Sequence, residues 1–124
     1  MPIFGNLIMK GSLNETINSY EKEMIDFMSK MIEIPAIAPQ AGGEGESKRA
    51  DFIQHFLKEM GQEVKRFDYT DKYKATRSNL VTTFGEGAKT IWILSHLDTV
   101  SPGDLSLWKY DPFKAYIKDG KLYG

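Results

Sequence analysis

The residues best suited to chemistry are His96 and Asp98, in the stretch ILSHLDTV at 93–100. A histidine and a carboxylate two positions apart on an extended segment point to the same side. The aspartate can then accept a hydrogen bond from one ring nitrogen, fix the tautomer and make the other nitrogen a better metal ligand. The same two residues also suit an ordinary polar strand end, because SPGD follows at 101–104 as a turn signal. Spacing alone leaves both readings open. A Ser-His-Asp triad is excluded, since Ser95 and His96 are adjacent and point apart.

Composition limits which chemistry is available. The chain has no cysteine, so disulfides, thiolate metal sites and a cysteine nucleophile are excluded. A transition metal here would need His, Asp or Glu, and the only histidines are His55 and His96. With 16 basic and 17 acidic residues, the net charge is -1, which gives no electrostatic footprint for nucleic acid. The segment KRFDYTDKYKATR mixes basic and aromatic residues, but Asp68 and Asp71 interrupt it, and it is expected to be a solvated edge or loop. No stretch approaches the roughly 18 apolar residues of a spanning helix. The start, MPIFGNLIMKGSLN, lacks a basic beginning and a small-residue cleavage site, so a signal peptide is not expected. Met9 offers an alternative start, and the cytoplasm is the default location.

The elements that must position His96 can be read from periodicity. With 124 residues, 41% of them hydrophobic, one domain with one core is expected. Residues 14–33 show a helical repeat of Ile17, Tyr20, Met24, Phe27 and Met31, with Ser12 or Asn14 as cap and Pro35 as stop. The loop 34–46 holds IPAIAPQAGGEGE. Its glycines suggest a phosphate loop, but no Gly-Lys-Ser/Thr follows, and a tight turn is the better account. A second helix is expected at 47–60, with Ala50, Ile53, Phe56, Leu57 and Met60 buried and Gly61 as C-terminal cap. His55 falls on the opposite, solvated face. EVKRFDY and NLVTTF read as strands, GEGAK as a turn, and TIWILS, residues 90–95, as a strand buried on both faces. Asp119-Gly120 centres a β-hairpin. The order α-α-β-β-β predicts an α/β fold, a layered sheet with flanking helices, in which His96 sits at the C-terminal end of a central strand, where ligands bind.

Three segments together, SNLVTTFGEG, TIWILSHLDTVSPGD and LWKYDPFKAYIKDGKLYG, resemble the opening of the M20 family of metallopeptidases and deacylases. That group includes acetylornithine deacetylase, succinyl-diaminopimelate desuccinylase and the aminoacylases. IEIPAIAPQAGGEGE is similar to the family's loop after its first helix. The resemblance covers the chain from about residue 13, with the His-x-Asp segment, Trp108…Asp111-Pro112-Phe113 and the Asp-Gly-Lys-Leu-Tyr-Gly hairpin in family order. It implies a zinc-exopeptidase-like catalytic domain with two zinc ions; cobalt or manganese would suit the same ligands. It implies that His96 binds one ion and that Asp98, an active-site residue, clamps it. The implied reaction is hydrolysis of an amide in an N-acyl amino acid or peptide, with the deacylase group the closer likeness and a homodimer allowed for the full-length protein.

The pattern then stops at Gly124. The family's bridging aspartate, its glutamate base, its remaining ligands and its lid or dimerisation domain come later. Asp104, Asp111 and Asp119 do not match the bridge, and Glu44 and Glu46 do not match the base. The expected division is a 1–13 extension followed by 14–124 as the N-terminal part of a catalytic domain, inactive alone and prone to associate through an exposed sheet edge. The alternative is a non-catalytic α/β module that retains the fold core and binds a partner.

Overall fold

A computed structural model of the chain describes residues 11–124. The expected extension, 1–13, and the Met9 start lie largely or wholly outside them. The described residues form two compact units, one of Ala36–Ser101 and one of 11–35 with Pro102–Gly124.

In the second unit, helix α1 spans Leu13–Ser19 and helix α2 spans Glu21–Glu33. Ser12 caps α1 in a full capping box: its hydroxyl accepts from the Glu15 amide, and the Glu15 carboxylate accepts from the Ser12 amide at 2.7 Å. The single helix expected over 14–33 is broken at Tyr20, whose φ and ψ are -100° and 2°. The sequence before it explains the break. Asn18 and Ser19 are weak helix formers, and the Ser19 hydroxyl donates back to the Thr16 carbonyl at 2.7 Å. Helix α2 ends at Ile34, which Pro35 holds extended. At the other end, strands β3 (Tyr116–Lys118) and β4 (Lys121–Tyr123) form the expected hairpin. Asp119 and Gly120 have φ of 51° and 69°, the conformation that a type I′ turn demands at both central positions.

In the first unit, the loop after Pro35 pairs with the segment that carries His96. Ala38 N–H donates to Thr99 O at 2.9 Å, and Thr99 N–H donates to Ala36 O at 2.8 Å, making a single parallel bridge between Ile37 and Thr99. The chain then turns back on itself, and Gly45 N–H donates to Ile37 O at 3.0 Å. Gly43 fits because it has no side chain: a Cβ there would lie 2.0 Å from the Ile37 carbonyl oxygen. Gly43 therefore serves close backbone approach, while Gly42 and Gly45, at φ 81° and 86°, supply the left-handed turns. Helix α3, Ser47–Glu59, follows. It ends in a Schellman motif, with Gly61 N–H bonded to Lys58 O and Gln62 N–H to Leu57 O, and Gly61 at φ 78°.

Strands β1 (Val64–Thr70) and β2 (Thr76–Thr82) pair antiparallel, Val64 opposite Thr82 and Thr70 opposite Thr76. Asp71 turns the corner by accepting from the amides of Tyr73 and Ala75. The segment expected to be a solvated edge or loop is a largely exposed hairpin. Arg66 ties it to α3 through Asp51 at 2.5 Å and Gln54 at 3.3 Å, and bonds Asp68 beside it.

Two expectations fail. Residues 90–95 form no strand among the described residues, and Ile93 and Leu94 are 91% and 97% exposed. A parallel strand buried on both faces needs strand neighbours and covering helices, and the one bridge at Thr99 supplies neither. Nor does a large core form: the buried hydrophobic residues described are Ala36, Ala38 and Ala50. The apolar stripes of α2 and α3 have the right period, yet most of their residues stay half-buried or exposed. What is present is a mixed α and β chain with two small antiparallel sheets.

Gly43→Ala should destabilise the first unit by about 1–3 kcal/mol, because the clash is with backbone, which cannot swing away. A lowered urea midpoint would bear this out; an unchanged one would show that the loop is not seated against Ile37.

Candidate metal site

The first unit builds its polar centre from three segments distant in sequence. Glu46, at the start of α3, carries a nearly buried side chain, 6% exposed. Its two carboxylate oxygens accept from Arg77 Nε at 2.9 and 3.0 Å, and one also accepts from the Ser78 amide at 3.1 Å. Strand β2 aims Arg77 at it. The rest of the guanidinium reaches two more carboxylates: Nη1 donates to Asp71 at 3.4 Å and Nη2 to Asp98 Oδ2 at 3.3 Å. Hydrogen bonding to Glu46 raises the Arg77 pKa above its usual value. Buried Arg49, on α3, donates from Nη1 to the Leu97 carbonyl at 3.0 Å.

The His96–Asp98 segment rests on these arginines. His96 Nδ1 lies 2.7 Å from the Asp98 carbonyl oxygen and 3.5 Å from Asp98 Oδ1. A carbonyl only accepts, so Nδ1 carries the proton and the lone pair is left on Nε2. The imidazole is 81% exposed, leaving Nε2 open to a ligand. The two residues are therefore adjacent, as their spacing suggested, although no paired strand carries them. The nearer partner of the ring is the main-chain carbonyl; the carboxylate is second.

The remaining candidates lie elsewhere. His55 is on the solvated face of α3, 3.4 Å from Glu59. Glu44 pairs with Lys48 in solvent. Asp104 caps the turn at Leu105–Leu107 by accepting from the Ser106 amide, Asp111 accepts from the Phe113 amide, and Asp119 is in the hairpin turn. No three His, Asp or Glu side chains converge into a metal-holding group among the described residues. A catalytic zinc draws on three protein ligands. These residues fit a single imidazole donor with its support, and they do not form a complete metal site.

Glu46, Arg77 and Arg49 were not legible as parts of this centre. Each lies 21 or more positions from Asp98, and none stands in a recognisable spacing with it. The one available signal was a glutamate placed directly after a glycine-rich close turn, where a buried charge needs a partner.

Acid should loosen this unit. Burial raises the pKa of Asp71, but the amides of Ala75 and Tyr73 and the Arg77 guanidinium outweigh it and leave it below the usual carboxylate range. Asp68 is lowered by Arg66 and then Ser78. Both groups bind protons more readily in the unfolded chain, so their stabilisation is complete above about pH 5 and disappears as pH falls through about 4 and below. The urea midpoint should drop over that window, and Asp71→Asn should flatten the drop. A midpoint indifferent to pH between 5 and 2 would contradict this.

Comparisons with known proteins find relatives that are named as hydrolases. It is 39% identical over 111 residues to an uncharacterized metallohydrolase of Methanocaldococcus jannaschii, covering 83% of this chain and 27% of that protein. It is 36% identical over 124 residues to an uncharacterized metallohydrolase of Methanococcus maripaludis, covering 94% and 28%. It is 34% identical over 100 residues to a succinyl-diaminopimelate desuccinylase of Wolbachia pipientis, covering 81% and 23%. The chain thus spans about a quarter of the length of the curated relatives it matches. No protein-family model and no solved structure matches it.

Proposed function

Because the chain belongs to the M20 family of metallohydrolases, we propose that its 124 residues contribute one ligand, His96, to the metal centre of an amide-cleaving hydrolase. The observation that carries this is the His96 geometry: Nδ1 engaged by the Asp98 carbonyl and Nε2 open in solvent. That tautomer leaves the Nε2 lone pair available to a metal. Asp98 supports the ring, with Oδ2 held by Arg77 and Oδ1 facing Nδ1.

The finer reading follows the relatives. The metal is zinc, in a pair, within a layered zinc-exopeptidase-like domain. The substrate is a small N-acyl amino acid, as the name of the desuccinylase relatives suggests, and the protein works in the cytoplasm. The chemistry of such a centre is Lewis-acid activation of an amide carbonyl and of water. This chain's residues orient one donor and keep it solvent-accessible, and no group of three donors gathers among the described residues. Residues 90–95 form the central strand of the layered sheet when neighbouring strands are supplied, a role their unbroken apolar character supports.

Two outcomes test the reading. In the natural full-length protein, His96→Ala should lower bound zinc, measured by elemental analysis, by at least tenfold under limiting metal, and abolish zinc-dependent hydrolysis of N-succinyl or N-acetyl amino acids. Unchanged zinc content would remove His96 from the centre. The 124-residue chain alone should hydrolyse no such amide with zinc added, and sustained turnover by it would overturn the single-ligand reading.

A further inference from the structure

We propose that Arg77, locked by Glu46, is a positioning residue that sets the tautomer and orientation of His96 by holding Asp98. This rests on the reading of His96 as the metal-facing imidazole, and its test is made without metal.

The geometry carries the argument in three steps. First, Arg77 cannot turn. Its Nε sits between both oxygens of Glu46, and Glu46 is itself fixed by the Ser78 amide of the same strand, in a nearly buried position. Second, the outer edge of this fixed guanidinium occupies Asp98 Oδ2, which leaves Oδ1 facing His96 Nδ1 at 3.5 Å. Third, Arg49 holds the Leu97 carbonyl, so the segment is gripped on its backbone and on its side chain by two arginines from different elements. With residue 98 fixed in this way, its carbonyl meets Nδ1 at 2.7 Å. Without Arg77, the Asp98 carboxylate is free to rotate and Oδ1 is no longer held facing Nδ1, which leaves only the carbonyl, on the peptide that the Thr99 amide ties to Ala36, against the ring.

A planar guanidinium is needed for this. It serves three carboxylates, Glu46, Asp71 and Asp98, from fixed directions. An ammonium is a point charge on a flexible stem and cannot hold all three in one geometry. The contribution is to position; Arg77 touches neither the open Nε2 nor anything bound there.

The experiment is long-range proton–nitrogen correlation NMR of the chain at about pH 8.5, where imidazoles are neutral. Only two histidines report, and His55, on the far face of α3, is the internal reference. The wild-type chain should show His96 as the Nδ1–H tautomer. In Arg77→Lys and in Glu46→Gln, that population should give way to the Nε2–H form of an unconstrained imidazole, while His55 and the far-ultraviolet circular dichroism stay unchanged. A wild-type His96 in the Nε2–H form would overturn the proposal whether or not the variants fold. So would a His96 tautomer unmoved in either folded variant. Loss of zinc from the full-length His96→Ala protein, together with an unmoved tautomer in these variants, would leave His96 as a ligand and reject Arg77 as its positioner. The reverse pair of results would keep Arg77 and reject the ligand.

Discussion

The ion pair between Glu46 and Arg77 is the constraint on which the first unit depends. A nearly buried carboxylate is tolerable only if its charge is met and its lone pairs are filled. Glu46 meets both conditions through two contacts with Nε and one with the Ser78 amide. That requirement fixes the start of α3 against β2. The same guanidinium then orders the corner at Asp71 and the segment at Asp98. Three stretches far apart in sequence are brought together by one side chain, which is economical where few apolar residues are buried.

The glycine loop makes this possible. Glu46 reaches Arg77 because residues 42–45 fold tightly back on Ile37, and Gly43 alone removes what would be a backbone collision. The same Ile37 carries the parallel bridge to Thr99, one residue beyond Asp98. The loop therefore positions both ends of the polar chain: the glutamate that anchors the arginine and the extended segment that presents the histidine. A sequence that reads as a failed phosphate loop is a compact spacer, in which packing explains Gly43 and left-handed backbone explains Gly42 and Gly45.

Local signals were the legible ones. Capping at Ser12, the Schellman end at Gly61 and the type I′ hairpin at Asp119-Gly120 each depend on a few neighbouring residues, and each forms where its residues predict. The break at Tyr20 was missed because the apolar period of α1 and α2 runs through it, while the competing hydrogen bond of Ser19 is invisible to periodicity. The strand at 90–95 was misjudged for a different reason. Its composition describes the surroundings it needs, a sheet covered on both faces, and not the surroundings the described residues supply. Glu46, Arg77 and Arg49 were illegible because long-range charge pairing leaves no fixed spacing in the sequence.

These two kinds of order bear differently on the site. A strand end normally owes its geometry to the sheet that carries it, and here residues 90–95 have no such sheet. Yet His96 and Asp98 still meet, with the ring nitrogen 2.7 Å from the carbonyl. Their arrangement is therefore set from the side, by Arg49 on the backbone of Leu97, by Arg77 on the carboxylate and by the single bridge at Thr99. Side-chain clamps of this kind act over one or two residues and do not need the strand before them to be paired. The imidazole is thus preorganised by polar contacts local to its own unit, and the apolar run that precedes it is free to be ordered by a different interaction, the burial of its two faces.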